Sequence, residues 1–207
     1  MSDPLSLIFV LAIAALIPFL AVVSTSFIKI SVVFLLIRNA LGVQQIPPNM
    51  ALNGLALILS GYIMTPTMVE TYDLLSAGRY DFATVEGLKA AYEAGKGPLT
   101  RFLDQHAAER EKVFLWPKDL SDGLAPDNIA VVLPAFTVSQ LREAFEIGFL
   151  LYLPFIAIDL IVSNILLAMG MMMVSPLTIS LPFKLFLFVM VDGWSRLILG
   201  LVKTYIR

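Results

Sequence analysis

The chain contains no cysteine. Disulfides, thiolate nucleophiles and cysteine-ligated metals are thereby excluded, and nothing follows about compartment. Histidine is nearly as scarce: His106 stands alone, without an HExxH pair, which excludes a catalytic zinc site. A single histidine among helical residues is read as an ordinary surface position. Charge is thin too, at 14% of residues with a net of -2, leaving no basic surface for nucleic acid and no run of Lys and Arg for anionic lipid. GKGP at Gly95 to Pro98 lacks the upstream glycine and the following hydroxyl of a phosphate-binding loop. Asp159 and Asp192 fall in no GxGD-type setting, so an intramembrane aspartyl pair is not expected. No catalytic residue, metal ion or cofactor is expected, and a non-enzymatic role follows.

Apolar surface is what the chain has in excess: 58% of its 207 residues are hydrophobic, and the mean hydropathy is +0.86. Both values mark an integral membrane protein. The uncharged run from Leu5 to Val23 approaches the roughly 20 residues that cross roughly 30 Å of hydrocarbon. Asp3 stands where a cleavable signal would carry positive charge, so an uncleaved first span is expected, kinked at Pro18. Lys29 and Arg38 beyond it place the N-terminus outside the cytoplasm. Leu41 to Asn49, with Pro47 and Pro48 adjacent, predicts a cytoplasmic turn, and Met50 to Val69 a second span bent by Pro66.

Most of the acidic residues lie between Glu70 and Asp127. FATVEGLKAAYEAG and LTRFLDQHAAEREKVFLW have apolar residues at helical spacing, whereas LWPKDLSDGLAPDN is broken by proline and glycine. The expected organisation is thus N-terminal membrane helices over 1–69, an extracytoplasmic region over 70–127, and C-terminal membrane helices over 128–207. Thr137 followed by Gln140 has the form of a capping box, predicting a helix start there and a kink at Pro154. A last segment, Leu185 to Val202, carries Asp192 and Arg196 one turn apart and able to pair. The fold expected is an all-α polytopic membrane protein of kinked helices and helical hairpins, with a small helical extracytoplasmic domain. Four spans with both termini outside is the simplest count.

Two features inside the apolar segments require an account. MGMMMVSP, residues 169 to 176, places Met169, Met171, Met172 and Met173 together, and three adjacent side chains cannot share one helix face. Gly170 and Pro176 flank them and weaken or end a helix, so a loop at membrane depth is expected, tolerated only beside protein or a water-filled cavity. Copies of such flexible side chains form a deformable constriction that excludes ions and yields to a passing chain. The second feature is the charged group Arg142, Glu143, Glu146, Asp159, Lys184, Asp192 and Arg196. Near balance of sign favours pairing that fixes an assembly over an ion path. A small-solute or ion carrier is the alternative, but the internal repeats it predicts are not found.

TSFIKI at Thr25 to Ile30, LIRNALGVQQIPPN at Leu36 to Asn49, LPAFTVSQLREAFEIGFLLYLPFIAIDL at Leu133 to Leu160 and MGMMMVSPLTISLPFKLFLFVMVDGW at Met169 to Trp194 closely resemble the SctR/FliP family. These are bacterial inner-membrane export-apparatus proteins of type III secretion systems and flagella, and NALGVQQIPPN is more similar to the injectisome, YscR-like branch. The resemblance implies a homopentamer assembled with SctS/FliQ-type and SctT/FliR-type subunits and other export-apparatus and basal-body ring proteins. It implies a gate for unfolded secreted proteins, with the methionines matching Met171, Met172 and Met173 lining the pore as a gasket. It also implies that the assembled complex lies partly at the periplasmic level within the basal body. One departure stands out: the family usually carries a carboxylate where this chain has Gln140, leaving Glu143, Glu146 or Asp159 to partner Lys184.

Overall fold

In the computed structural model, residues 4–43, 45–78, 80–81, 84–116 and 128–206 are described. They form helices α1 (Pro4–Val23), α2 (Phe27–Ala40), α3 (Asn49–Ser76), α4 (Val85–His106), α5 (Glu109–Leu115), α6 (Ile129–Ala168), α7 (Pro176–Met190) and α8 (Gly193–Lys203), and no strand. The expectation of an all-α polytopic membrane fold holds. Helices α3 and α6 are each long and apolar enough to cross a bilayer, and counting the bent pairs Ala14–Val23 with Phe27–Ala40 and α7 with α8 as one span each gives four. Most of the segment LWPKDLSDGLAPDN lies outside the described residues.

The prolines inside the spans do not end the helices that hold them. Helix α1 continues through Pro18 and α3 through Pro66 to Ser76. Helix α6 is 40 residues long and passes Pro134 and Pro154 without a break. At about 1.5 Å per residue it spans about 60 Å, twice the hydrocarbon thickness.

The chain packs as two compact units, Met1–Ile28 with Ser60–Leu141, and Lys29–Leu59 with Arg142–Arg207. In the first unit α4 begins at Thr84, whose hydroxyl accepts the Gly87 N–H at 3.2 Å. Arg101 of α4 holds Glu70 of α3 through two bonds of 2.9 and 3.1 Å. At Lys112, burial disfavours the ammonium, but the bonds to Asp104 and Glu109 outweigh it and its pKa lies above the ordinary lysine value. The start of α6 buries Val132, Ala135, Phe136, Ser139 and Gln140, the spacing of one helix face, with the Phe136 ring 5.8 Å from that of Phe102.

That stripe corrects the expected helix start. Asn128 is the cap, its side-chain oxygen accepting the Ala130 N–H at 3.0 Å. Thr137 lies well inside α6, and its hydroxyl bonds back to the Leu133 carbonyl at 2.9 Å. The local Thr–Gln pattern was outweighed by the apolar face that α6 buries two turns earlier. His106 is likewise no plain surface residue: its ring lies 4.6 Å from Phe102 and its Nδ1 is 2.8 Å from the Phe102 carbonyl oxygen.

In the second unit Phe34 is fully buried with Trp194 edge-on at 5.9 Å, and Trp194 in turn meets Phe188 at 5.4 Å. The expected single segment Leu185 to Val202 is two helices, because α7 and α8 meet at 60° around Asp192, which adopts a left-handed backbone at φ 53. Gly148 lets α6 approach α2 closely: a Cβ there would stand 2.3 Å from Leu36 Cδ1 and 3.2 Å from its Cβ. Gly148→Val should therefore destabilise the detergent-solubilised chain by about 1–3 kcal/mol. Gly54→Val, at a position with open space around it, should stay within about 0.5 kcal/mol. Thermal melting of the two variants side by side checks the close approach, which equal melting would refute.

Candidate functional site

A lysine can sit in an apolar helix bundle only if its charge is matched and its donors are used. Lys184, on α7, is 2% exposed and donates to Asp159 Oδ2 of α6 at 2.6 Å and to the Ala40 carbonyl at 3.3 Å. Ser180, one turn earlier on the same face of α7, donates to Asp159 Oδ1 at 2.6 Å. One carboxylate thus accepts from two turns of α7. The third member, the Ala40 carbonyl, belongs to the last turn of α2, whose carbonyls lack helical partners and carry partial negative charge. Of the three carboxylates left open by the sequence, Asp159 partners Lys184.

A second buried lysine does more than mark topology. Lys29 of α2 is as buried as Lys184 and donates to Glu143 Oε2 at 2.6 Å and Thr204 Oγ1 at 2.9 Å. Its ammonium also lies 4.5 Å from the centre of the Tyr205 ring. The signal was a lone cation within the apolar run TSFIKISVVF. Glu143 and Asp159 are both on α6, so that helix carries the counter-charge for both lysines.

The remaining predicted charges are not drawn into these clusters. Arg142 and Glu146 stand 3.7 Å apart on the exposed side of α6, a one-turn pair of small energetic weight. Asp192 and Arg196 do not form the pair their spacing allows: the Asp192 carboxylate accepts the Ser195 hydroxyl at 2.9 Å. Arg196 instead lines a cavity of about 440 Å³ with Pro154, Phe155 and Leu197. The Arg196 N–H still reaches the Asp192 carbonyl at 3.1 Å, but Asp192 caps α8 with a left-handed backbone, which aims its side chain differently from that of a helical residue.

Gln140 has its own partner. Its Nε2 donates to the His106 carbonyl at 3.0 Å, at the C-terminal end of α4. An ionised carboxylate has no hydrogen to donate, so glutamine suits this contact where Glu or Asp would not.

The methionines lie where the apolar hairpin turns. Helix α6 ends at Ala168, Gly170 adopts φ +74, and Pro176 is the first residue of α7. Proline fits the first helical position because its missing N–H would have no partner there. Met172 is 82% exposed and Met173 wholly so; Met169 is mostly exposed, and Met171 less. The Asp159 clamp fixes the register of α7 against α6 within about two turns of this loop, since Ser180 and Lys184 follow Pro176 by one and two turns. Lys184→Met should cost toward the lower end of about 3–5 kcal/mol, because removal of one partner strands the other charge while Asp159 keeps 33% exposure. The double variant Lys184→Met/Asp159→Leu should regain most of that loss in melting temperature. A double variant no more stable than Lys184→Met alone would show that the pair does not act as a unit.

The chain matches the FliP family over residues 10–201. It is 55% identical over 210 residues to Yop proteins translocation protein R of Yersinia pestis, covering 98% of this chain and 97% of that protein. It is 47% identical over 213 residues to virulence protein YscR of Salmonella typhimurium, covering 98% and 97%. Similarity to harpin secretion protein HrcR of Erwinia amylovora is 44% over 211 residues, covering 99% and 97%.

Proposed function

The chain belongs to the FliP/SctR family of type III secretion proteins, and from that premise we propose that copies of it form the pore of an export gate closed by its methionine loop. The chain is a multi-pass inner-membrane protein and a subunit of a secretion apparatus that assembles with other subunits. The finer reading is a homopentamer joined by SctS/FliQ-type and SctT/FliR-type partners, admitting unfolded secreted proteins and catalysing nothing. Its final position lies partly at the periplasmic level within the basal body.

The observation that carries this reading is the loop of residues 169 to 175. It presents Met172 and Met173 clear of the chain's own core, at the tip of a hairpin pinned by the ion pair of the buried Lys184. Apolar tips of this kind gain stability only by packing against something else, and symmetry copies of themselves are the nearest candidates in a ring. Each thioether so buried contributes about 1.5–3 kcal/mol, while its unbranched chain keeps the contact deformable. The seal is strong against water and soft against a moving polypeptide. The charges support the same reading: both buried lysines are matched within the chain, as clamps require and a vacant ion path does not.

Replacing Met171, Met172 and Met173 together with Ala should widen the constriction, raising ion conductance in cells that contain the assembled complex while export persists. Conductance, secretion and recovery of the oligomer are measured in parallel. A triple variant that assembles fully and stays as tight as wild type would remove the gasket from this account.

A further inference from the structure

The three adjacent methionines are not equivalent. Two nested backbone bonds close α6: the Gly170 N–H donates to the Leu167 carbonyl at 3.0 Å, and the Met171 N–H reaches the Leu166 carbonyl at 2.9 Å. With Gly170 left-handed at φ +74, this is the Schellman arrangement. In that arrangement the residue after the left-handed glycine characteristically packs on the side chain five positions before it. Here those residues are Met171 and Leu166, and both line one apolar groove of about 580 Å³ between α6 and α7, with Ile165, Ile179 and Phe183. Met171 is 41% exposed, half the value for Met172, and neither Met172 nor Met173 lines that groove.

We infer that Met171 is a positioning residue, which seats the loop on the α6–α7 hairpin, and that closure falls to Met172 and Met173 alone. This rests on the reading of the loop as a seal. The geometry gives each end of the loop a fixed point. Gly170 and Met171 set the direction in which the chain leaves α6, and Pro176, with its φ locked, sets the direction in which it enters α7. Between them the Val174 N–H returns to the Met171 carbonyl at 3.3 Å, so displacement of Met171 moves the rest of the loop with it. Met172 and Met173 have no such backbone role beyond the short Met172 N–H contact to the Gly170 carbonyl at 3.0 Å. Their side chains can change without moving the loop.

The test uses the assembled complex and the absence of native cysteine. A cysteine at the half-buried Val174 reports loop seating through its rate of maleimide labelling, and ion conductance reports closure. Gly170→Ala, which places a Cβ at a left-handed position, and Met171→Ala should each raise labelling several-fold. Combined, they should raise it no more than the stronger of the two, because both release the same seat. Met172→Ala should raise conductance several-fold with labelling unchanged, and should multiply the conductance effect of Gly170→Ala. Met171→Leu, which keeps the groove filled, should label and conduct like wild type. The inference is overturned if Met172→Ala speeds labelling as much as Met171→Ala does, or if the labelling effects of Gly170→Ala and Met171→Ala multiply. Because labelling does not depend on ion flow, a complex in which no methionine variant leaks refutes the seal while leaving Met171's seating role to be judged by the label.

Discussion

An ammonium ion taken out of water costs several kcal/mol unless an anion and further acceptors meet it. Among the described residues this happens at Lys29 and Lys184, and both times the anion stands on α6. The arrangement of the second unit follows from that requirement. Helix α7 must face α6 where Asp159 can take both Ser180 and Lys184, and the end of α2 must bring the Ala40 carbonyl to the same ammonium. The turn after α8 must bring Thr204 and the Tyr205 ring to Lys29 beside Glu143. Aliphatic contacts specify register less sharply than charges do, since volume-conserving swaps among them cost little. A buried ion pair does not tolerate a slip of one residue, which turns the charge by about 100° away from its partner. The pairs thus set register, and the aliphatic contacts supply the bulk of the cohesion.

The rest of α6 shows what the chain leaves to its surroundings. Beyond Gln140 its side chains are mostly uncovered, with Phe145, Phe149, Leu150, Leu153, Leu160 and Ile161 exposed. So broad an apolar surface is met by lipid or by other subunits. Family membership points to an apparatus in which other subunits are present.

The sequence made some of this legible and hid the rest for identifiable reasons. The apolar runs, the turn at Pro47 and Pro48, and the break between Gly170 and Pro176 depend on backbone chemistry within a few residues, and they could be read directly. That Lys184 needs an anion was also legible, because burial of a cation in an apolar helix admits no other solution. Which carboxylate answers it was not, since Glu143, Glu146 and Asp159 differ only in position along one helix, and the choice depends on how α7 lies against it. Local pairing rules misled at two places. Thr137 with Gln140 imitates a cap, yet both are buried or half-buried on a face that α6 presents to the Phe102 region, and Gln140 is spent on the His106 carbonyl. Asp192 and Arg196 have one-turn spacing, but a left-handed residue starts the helix there. Lys29 was visible as an isolated cation, and its importance emerges only when residues 143, 204 and 205 are seen around it.

The outward projection of Met172 and Met173 has a chemical consequence of its own. In a chain without cysteine, thioethers are the only sulfur open to oxidation. Conversion of an exposed methionine to its sulfoxide turns a soft apolar group into a polar one that holds water, and reductases reverse the change one epimer at a time. The property that makes these side chains yielding is a loosely held, polarisable sulfur. The same property makes this loop a point at which an oxidant would turn the protein's surface from dry to wet.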